Sequence, residues 1–388
     1  MNSPALFGFV GDLLVDRDQP AQPFGPVRSL LSAPDVLFGN LEGTYSDNPQ
    51  PAPSGGTPLY PKAHNLAVFA EVGFDVLSLA NNHIVDAGHA ALLDNYERLR
   101  AQGVLTCGAG ANIKLAREPA IVEAKGITVA FLAYASVFPN GYEARSNVPG
   151  LAPLRAYDFW RPAFDNYHMP GTPPLTQSVH DERDLAALRE DIAAARKRAD
   201  LVVASFHWGD FLKPLHLTDH ERKTAHLCID EGVDLVVGHH HHALRGMEWY
   251  RGKPIFYGLG HFVFDVRLEM SAEAVAILER MTTGQDPVTN YGIFPRPGWP
   301  LLPLHEDTRM TLLAYARATR SGFGDIGFVP CRLRPDGSID AVDPESAEGR
   351  EVVAYVERCN ATQGLKVALA ADEGTIGGHS GVRVLPAS

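Results

Sequence analysis

The sequence predicts a layered α/β domain with its functional site at the carboxyl ends of strands. Three observations predict it. Apolar runs of strand length alternate with segments of helical period. Nearly every apolar run ends in a small cluster of Asp, Asn, Glu or His. The 388-residue chain is 45% hydrophobic and 21% charged, an ordinary globular composition with enough length for a full core.

The elements follow in order. "ALFGFVGD" is a first buried strand ending at Gly11-Asp12. "DVLFGNLEG" is a second, ending in Asn40 and Glu42. "NLAVFAEVGF" has helical spacing, and "DVLSLANNH" is a third strand ending in Asn81, Asn82 and His83. "GHAALLDNYERLRAQG" reads as a helix closed by a glycine. "GITVAFLAYA" is a fourth strand, and "DERDLAALREDIAAARKRAD" an amphipathic helix with Leu185, Leu188 and Ile192 on one face. "LVVASFHWGD", "DLVVGHHHH" and "PIFYGLGHFVF" complete the series. After Arg309, "MTLLAYARA" and "IGFVPCRL" return to strand character, and "GREVVAYVERCNATQ" is a late helix.

Residues 1–340 are expected to form the main domain, and 341–388 a C-terminal helical extension and tail. Two Pro- and aromatic-rich stretches, about 155–180 and 266–309, read as insertions over the active-site face.

Composition narrows the partners. The formal net charge is -12 and the pI about 5.7, so bulk attraction to nucleic acid or anionic lipid is not expected. The four cysteines form no C-x-x-C pair and read as reduced, mostly buried thiols. No apolar run reaches the length of a membrane span, and a cytoplasmic location is expected. The oligomeric state is not legible.

The strand tips carry chemistry. Carboxylate, amide oxygen and imidazole are ligands of borderline divalent ions, and dinuclear hydrolases share them between two ions. The run His239–His242 offers two alternating pairs if it is extended: His239 with His241, or His240 with His242.

These tips resemble a known family. "GDLLVDR", "NLEG", "SLANNHIVDAG", "CGAGANIKLAREP", "HWGD" and "VVGHHHHALRGMEWYRGKPIFYGLGHFVFD" look like the CapA family of capsule and poly-γ-glutamate synthesis proteins. The resemblance runs from about Phe9 to Asp265. It implies a four-layer α/β/β/α sandwich of the metallophosphoesterase (calcineurin-like) type. It implies metal ligation by Asp12, Glu42, Asn82 and His207. The family's His-Pro-His selects His240 and His242, with His241 in place of proline. His83 is implied as a general acid, and Arg17 matches a family arginine.

Two departures stand out. Metallophosphoesterases have Asp-x-His in the first motif, whereas Leu14 occupies the third place here. His261 replaces the family's asparagine in "LGNF". In the second insertion, His305 and Arg309 lie four apart, an acid–base group and a candidate carboxylate clamp.

The expectation is a metal-dependent hydrolase or transferase holding one or two Mn, Fe or Zn ions. It would act on an amide or phosphoester bond of a carboxylate-bearing small molecule or peptide, read by Arg309 or Arg17. Two alternatives stay open: a metal-free peptide epimerase using Asp12 with His261 or His305, and a non-catalytic accessory protein of polymer synthesis.

Overall fold

The computed structural model describes residues 3–51, 58–164, 166–167, 169–267 and 292–387. Two β-sheets stack face to face. The larger runs, in spatial order, Val367–Ile376, His379–Pro386, Gly322–Leu333, Met310–Thr319, Ala5–Leu14, Val36–Leu41, Val76–Ser78 and Leu105–Cys107. His261–Phe264 pairs with Ala5–Leu14, and Ile339–Ala341 with Gly322–Leu333. The smaller sheet is Met247–Tyr250, Lys253–Phe256, Leu235–His239, Leu201–His207, Ile127–Ala135 and Ala120–Ala124.

The inner faces meet through aromatic rings. Phe38 of the larger sheet stacks on Phe131 of the smaller at 5.3 Å. Helices cover the outer faces. Glu182–Arg196 buries Leu188, Ile192 and Ala195 against Ala130, Leu132, Val202 and Ala204 of the smaller sheet. Its N-terminus is capped by Asp181, which accepts from the Arg183 and Asp184 N–H groups. His89–Ala101 packs Leu92 and Leu99 beside the larger sheet. The result is the four-layer sandwich of metallophosphoesterase type.

Two expectations change, and a third holds where it is described. The segment 341–388 is not only a helix and a tail. After the helix Ala347–Gln363 it adds the hairpin Val367–Ile376 and His379–Pro386, which extends the larger sheet. The Gly377-Gly378 turn, with both residues at positive φ, was its sequence signal. The insertion at 155–180 does not cover the site. It forms the hairpin Ala156–Arg161 and Leu175–His180, bound to the helix Asp219–Asp230. There the Ser178 N–H donates to Asp219 at 2.8 Å, and Lys223 donates to the Ser178 carbonyl at 3.0 Å. Of the insertion at 266–309, residues 268–291 lie outside the described ones, and the remainder does reach the site.

All four cysteines are free and buried. Among the described residues, no helix is long and apolar enough to cross a membrane.

Candidate metal centre

Parallel register brings the tips together. Asp12 pairs with Asn40, and Asn40 with Ser78, so three strands of the larger sheet end level. In the smaller sheet His207 pairs with His239. Stacking the two sheets then joins both rows of tips. A glycine makes the closest approach possible. A Cβ on Gly11 would lie 2.0 Å from the Gly260 carbonyl oxygen, the atom that accepts from the Asp12 N–H at 3.1 Å.

Two groups of potential ligands converge. Asp12, Glu42 and His242 offer atoms that all lie within 4.8 Å of one another. His242 Nδ1 is 3.3 Å from Asp12 Oδ2, and its Nε2 is 3.7 Å from Glu42 Oε1. In the second group, His207 Nε2 lies 2.6 Å from Asn82 Oδ1 and 3.1 Å from His240 Nδ1. Asn40 bridges them. Its amide donates to Asp12 Oδ1 at 2.8 Å and lies 3.4 Å from His207 Nδ1.

The charges are unevenly held. Burial pushes Asp12 up, but His239 and His242 outweigh it and hold its carboxyl well below the usual range. Burial and the Asp12 carboxylate push Glu42 well above its usual range. Both Glu42 oxygens are buried without a hydrogen-bond partner. Burial, with neighbouring imidazoles, holds His207 and His240 well below their usual range, which keeps them neutral, the form that ligates a metal.

The histidine run departs from the alternation expected of a strand. The strand ends at His239, and His240 and His242 take positive φ values of 94° and 56°. Such values are uncommon for a non-glycine residue and gather at functional sites. They turn His240 and His242 into the site while His239 still reaches Asp12, with Nδ1 3.4 Å from Oδ1. His241 points away and contacts buried Glu221 at 2.9 Å. His239 therefore lies beneath the centre rather than standing apart from it.

His83 sits at the mouth. Its Nδ1 is 2.7 Å from Asp86 Oδ2, and its Nε2 is 3.8 Å from Glu42 Oε1. Asp86 is itself fixed, accepting from the Leu59 N–H at 2.6 Å and the Tyr142 hydroxyl at 2.8 Å.

The remaining candidates divide. His261 pairs with Asp12 across parallel strands, and its ring lies 5.9 Å from His242 and stacks on Phe264 at 5.1 Å. Burial and His242 push its pKa down to about 3. Leu14, at the place of the missing first-motif histidine, is buried beside Phe264 in the same register. His305 caps the short 3-10 turn Glu306–Arg309, accepting from the Asp307 N–H at 3.2 Å. Arg309 lies over the Trp299 ring at 4.2 Å and pairs with Glu306 at 3.8 Å. Arg17 is bound to Asp265 and donates to Gln22 at 2.9 Å. Both arginines thus have partners other than the ligand groups. Asn40 was legible as a polar tip without a role. Glu221 gave no signal, because it lies on a helix far along the chain.

Layered sandwich and ligand-bearing tips define a metallophosphoesterase-like domain. The chain belongs to the family of the bacterial capsule synthesis protein PGA_cap, whose profile matches residues 7–266. It is 30% identical over 295 residues to the PGA biosynthesis protein CapA of Bacillus subtilis, covering 72% of this chain and 70% of that protein. It is 32% identical over 251 residues to a probable polyglutamine synthesis accessory protein of Mycobacterium tuberculosis, covering 63% of this chain and 60% of that one. Among solved structures, a phosphatase from Mycoplasma pneumoniae is similar with a TM-score of 0.48 at 12% identity, covering 85% of this chain and 94% of that one.

Proposed function

We propose that this chain is a metal-dependent hydrolase or transferase acting on an amide or phosphoester bond. The observation that carries this reading is Glu42. A fully buried carboxylate with two unpartnered oxygens is costly unless a cation meets it. The surrounding donors are one more carboxylate, an amide oxygen and neutral imidazoles, a set suited to Mn, Fe or Zn.

Asp12, Glu42 and His242 would hold one ion, and Asn82, His207 and His240 a second. A divalent ion in this place supplies Lewis-acid charge stabilisation and activation of water. The chain's own residues do the rest. Asp86 fixes the tautomer and orientation of His83, leaving Nε2 facing the site. His83 carries the proton for the leaving group at that atom. Asn40 orients Asp12, and Glu221 holds the loop through His241. The wider substrate is a peptide or a fragment of an acidic polymer. Its carboxylates lie outside the cleft, since Arg17 and Arg309 are engaged elsewhere.

Metal analysis of the purified protein tests this, followed by turnover of γ-glutamyl amides and phosphodiesters before and after chelation. Near-stoichiometric metal and activity lost on chelation, restored by Mn or Zn, are expected. Full activity in the chelated protein would sink the reading.

One observation favours a second reading. His261 lies beside Asp12 in the parallel register and is fully buried. An Asp12–His261 pair that removes and returns a proton at a carbon next to a carbonyl would make the chain a metal-free epimerase. Deuterium uptake from heavy water into a peptide, undiminished by chelator, would favour it. An accessory protein without turnover would keep its cellular role in Asp12→Asn.

A further inference from the structure

The centre lies at the floor of a cleft of about 200 Å³. Asn82, His83, His240 and His242 form its polar floor. Its walls are Leu59, Phe211, Phe264, Val266, Ile293 and Leu304. Among the described residues, no lysine or arginine lines it.

The aromatic walls are built onto the ligand imidazoles. Phe211 stands edge-on to His240 at 5.7 Å and to His242 at 6.3 Å. Phe264 lies 4.6 Å from the His242 ring. Leu59 and Leu304 come from two separate segments. The Leu59 N–H is tied to Asp86, the residue that orients His83, so this wall and the proton carrier are positioned together.

This lining selects by charge. A carboxylate placed against these walls would meet hydrocarbon and, among the described residues, no lysine or arginine to pair with it. An uncharged ring or branched chain would gain burial and aromatic contact. The volume is below the ~300 Å³ at which pockets begin to take drug-sized ligands, so one side group fits rather than a stretch of polymer.

We propose that the cleft is a specificity pocket for one uncharged, apolar group, aryl or branched alkyl, attached next to the reacting bond of the substrate. It rests on the reading of the floor as a metal centre and names the substrate class of that site. Phe211 and Phe264 are its selecting residues. Any acidic part of the substrate lies beyond Leu304 and Ile293.

Three hydroxamates sharing one metal-binding head test it on the full chain loaded with Zn: acetohydroxamate, 3-phenylpropanohydroxamate and the monohydroxamate of succinate. Calorimetric titration should show the phenyl compound binding at least about tenfold tighter than acetohydroxamate, and the succinate compound no tighter than it. Equal affinities, or the succinate compound binding tightest, would overturn the proposal. Phe211→Arg should reverse the order of the last two probes, and an unchanged order in that variant counts against Phe211 as a wall. Zinc uptake is measured separately, so failure of the metal reading shows as protein without zinc. The chelated protein is titrated in parallel with 3-phenylpropanamide and succinamate by saturation-transfer NMR. Signal from the phenyl amide alone supports the pocket without an ion, and signal from succinamate or from neither overturns it.

Discussion

Two sets of histidines sit in this molecule, one buried at the strand tips and one mostly half-buried around a helix, and they are treated differently. Around the helix Asp219–Asp230, each imidazole has a partner. His220 meets the Ser136 hydroxyl at 2.7 Å, His180 meets Thr224 at 2.7 Å, and His226 meets Glu248 at 3.0 Å while stacking on Tyr250. At the strand tips, the Glu42 carboxyl has no hydrogen-bond partner, and His239 approaches Asp12 only at 3.4 Å. The first set is ordinary satisfied packing. The second holds unsatisfied groups together at a cost in stability, which is the signature of a site kept for a ligand. Buried His220, which has a partner, shows that burial alone does not make the difference. Satisfaction does.

Four changes break or sharpen this contrast. The largest effect is expected from His240→Ala and Asp12→Asn, each removing a ligand from one of the two groups. Both should abolish turnover and lower metal content, with near-native unfolding midpoints in the metal-free protein. Metal analysis beside a urea titration reads this, and full metal content in both variants would erase the distinction between the sets.

Glu221→Ala comes next. Burial and Arg245 hold His241 below its usual range, so the contact is a neutral N–H donating to the Glu221 carboxylate. Glu221 also accepts from the Thr218 N–H and hydroxyl, completing a capping box. Losing a hydrogen bond to a charge and a helix cap together should cost about 3 to 4 kcal/mol, measured by urea unfolding.

His220 tests the satisfied set by pH. Burial, with His180 nearby, pushes its pKa down to about 4. The fold therefore holds it neutral, and between about pH 6.5 and 4 the unfolded chain takes up the proton instead. Stability from this group is fully present above about pH 6.5 and falls as the pH drops through that window. The loss should be roughly 3 kcal/mol by pH 4, and His220→Gln should flatten that limb of the stability profile.

The smallest effect is expected at Glu42. Glu42→Gln should change the stability of the metal-free protein by less than about 1 kcal/mol, because it exchanges one buried neutral polar group for another of the same shape. The same variant should bind metal more weakly. A lower thermal midpoint in the metal-free form would show that Glu42 is satisfied in solution.

The order of elements and the chemistry of each tip were legible locally. Period-two apolar runs, helical spacing and capping residues lie within a few positions of one another. Asp12, Glu42, Asn82, His83, His207, His240 and His242 were readable as tip residues for that reason, and the family's motif selected the pair within the histidine run. His305 and Arg309 show the limit of spacing. Residues four apart share a helix face, but this segment is a single tight turn in which His305 caps the backbone and Arg309 lies on Trp299. Arg17 shows it too, since its partner Asp265 is far away in sequence.

The sequence by itself determined the class of domain, the succession of strands and the residues at their tips, because period and turn chemistry are properties of neighbours. Only the tertiary structure decided which imidazoles are satisfied, which arginines are engaged and what lines the cleft. Those depend on contacts between segments that only the stacking of two sheets brings together.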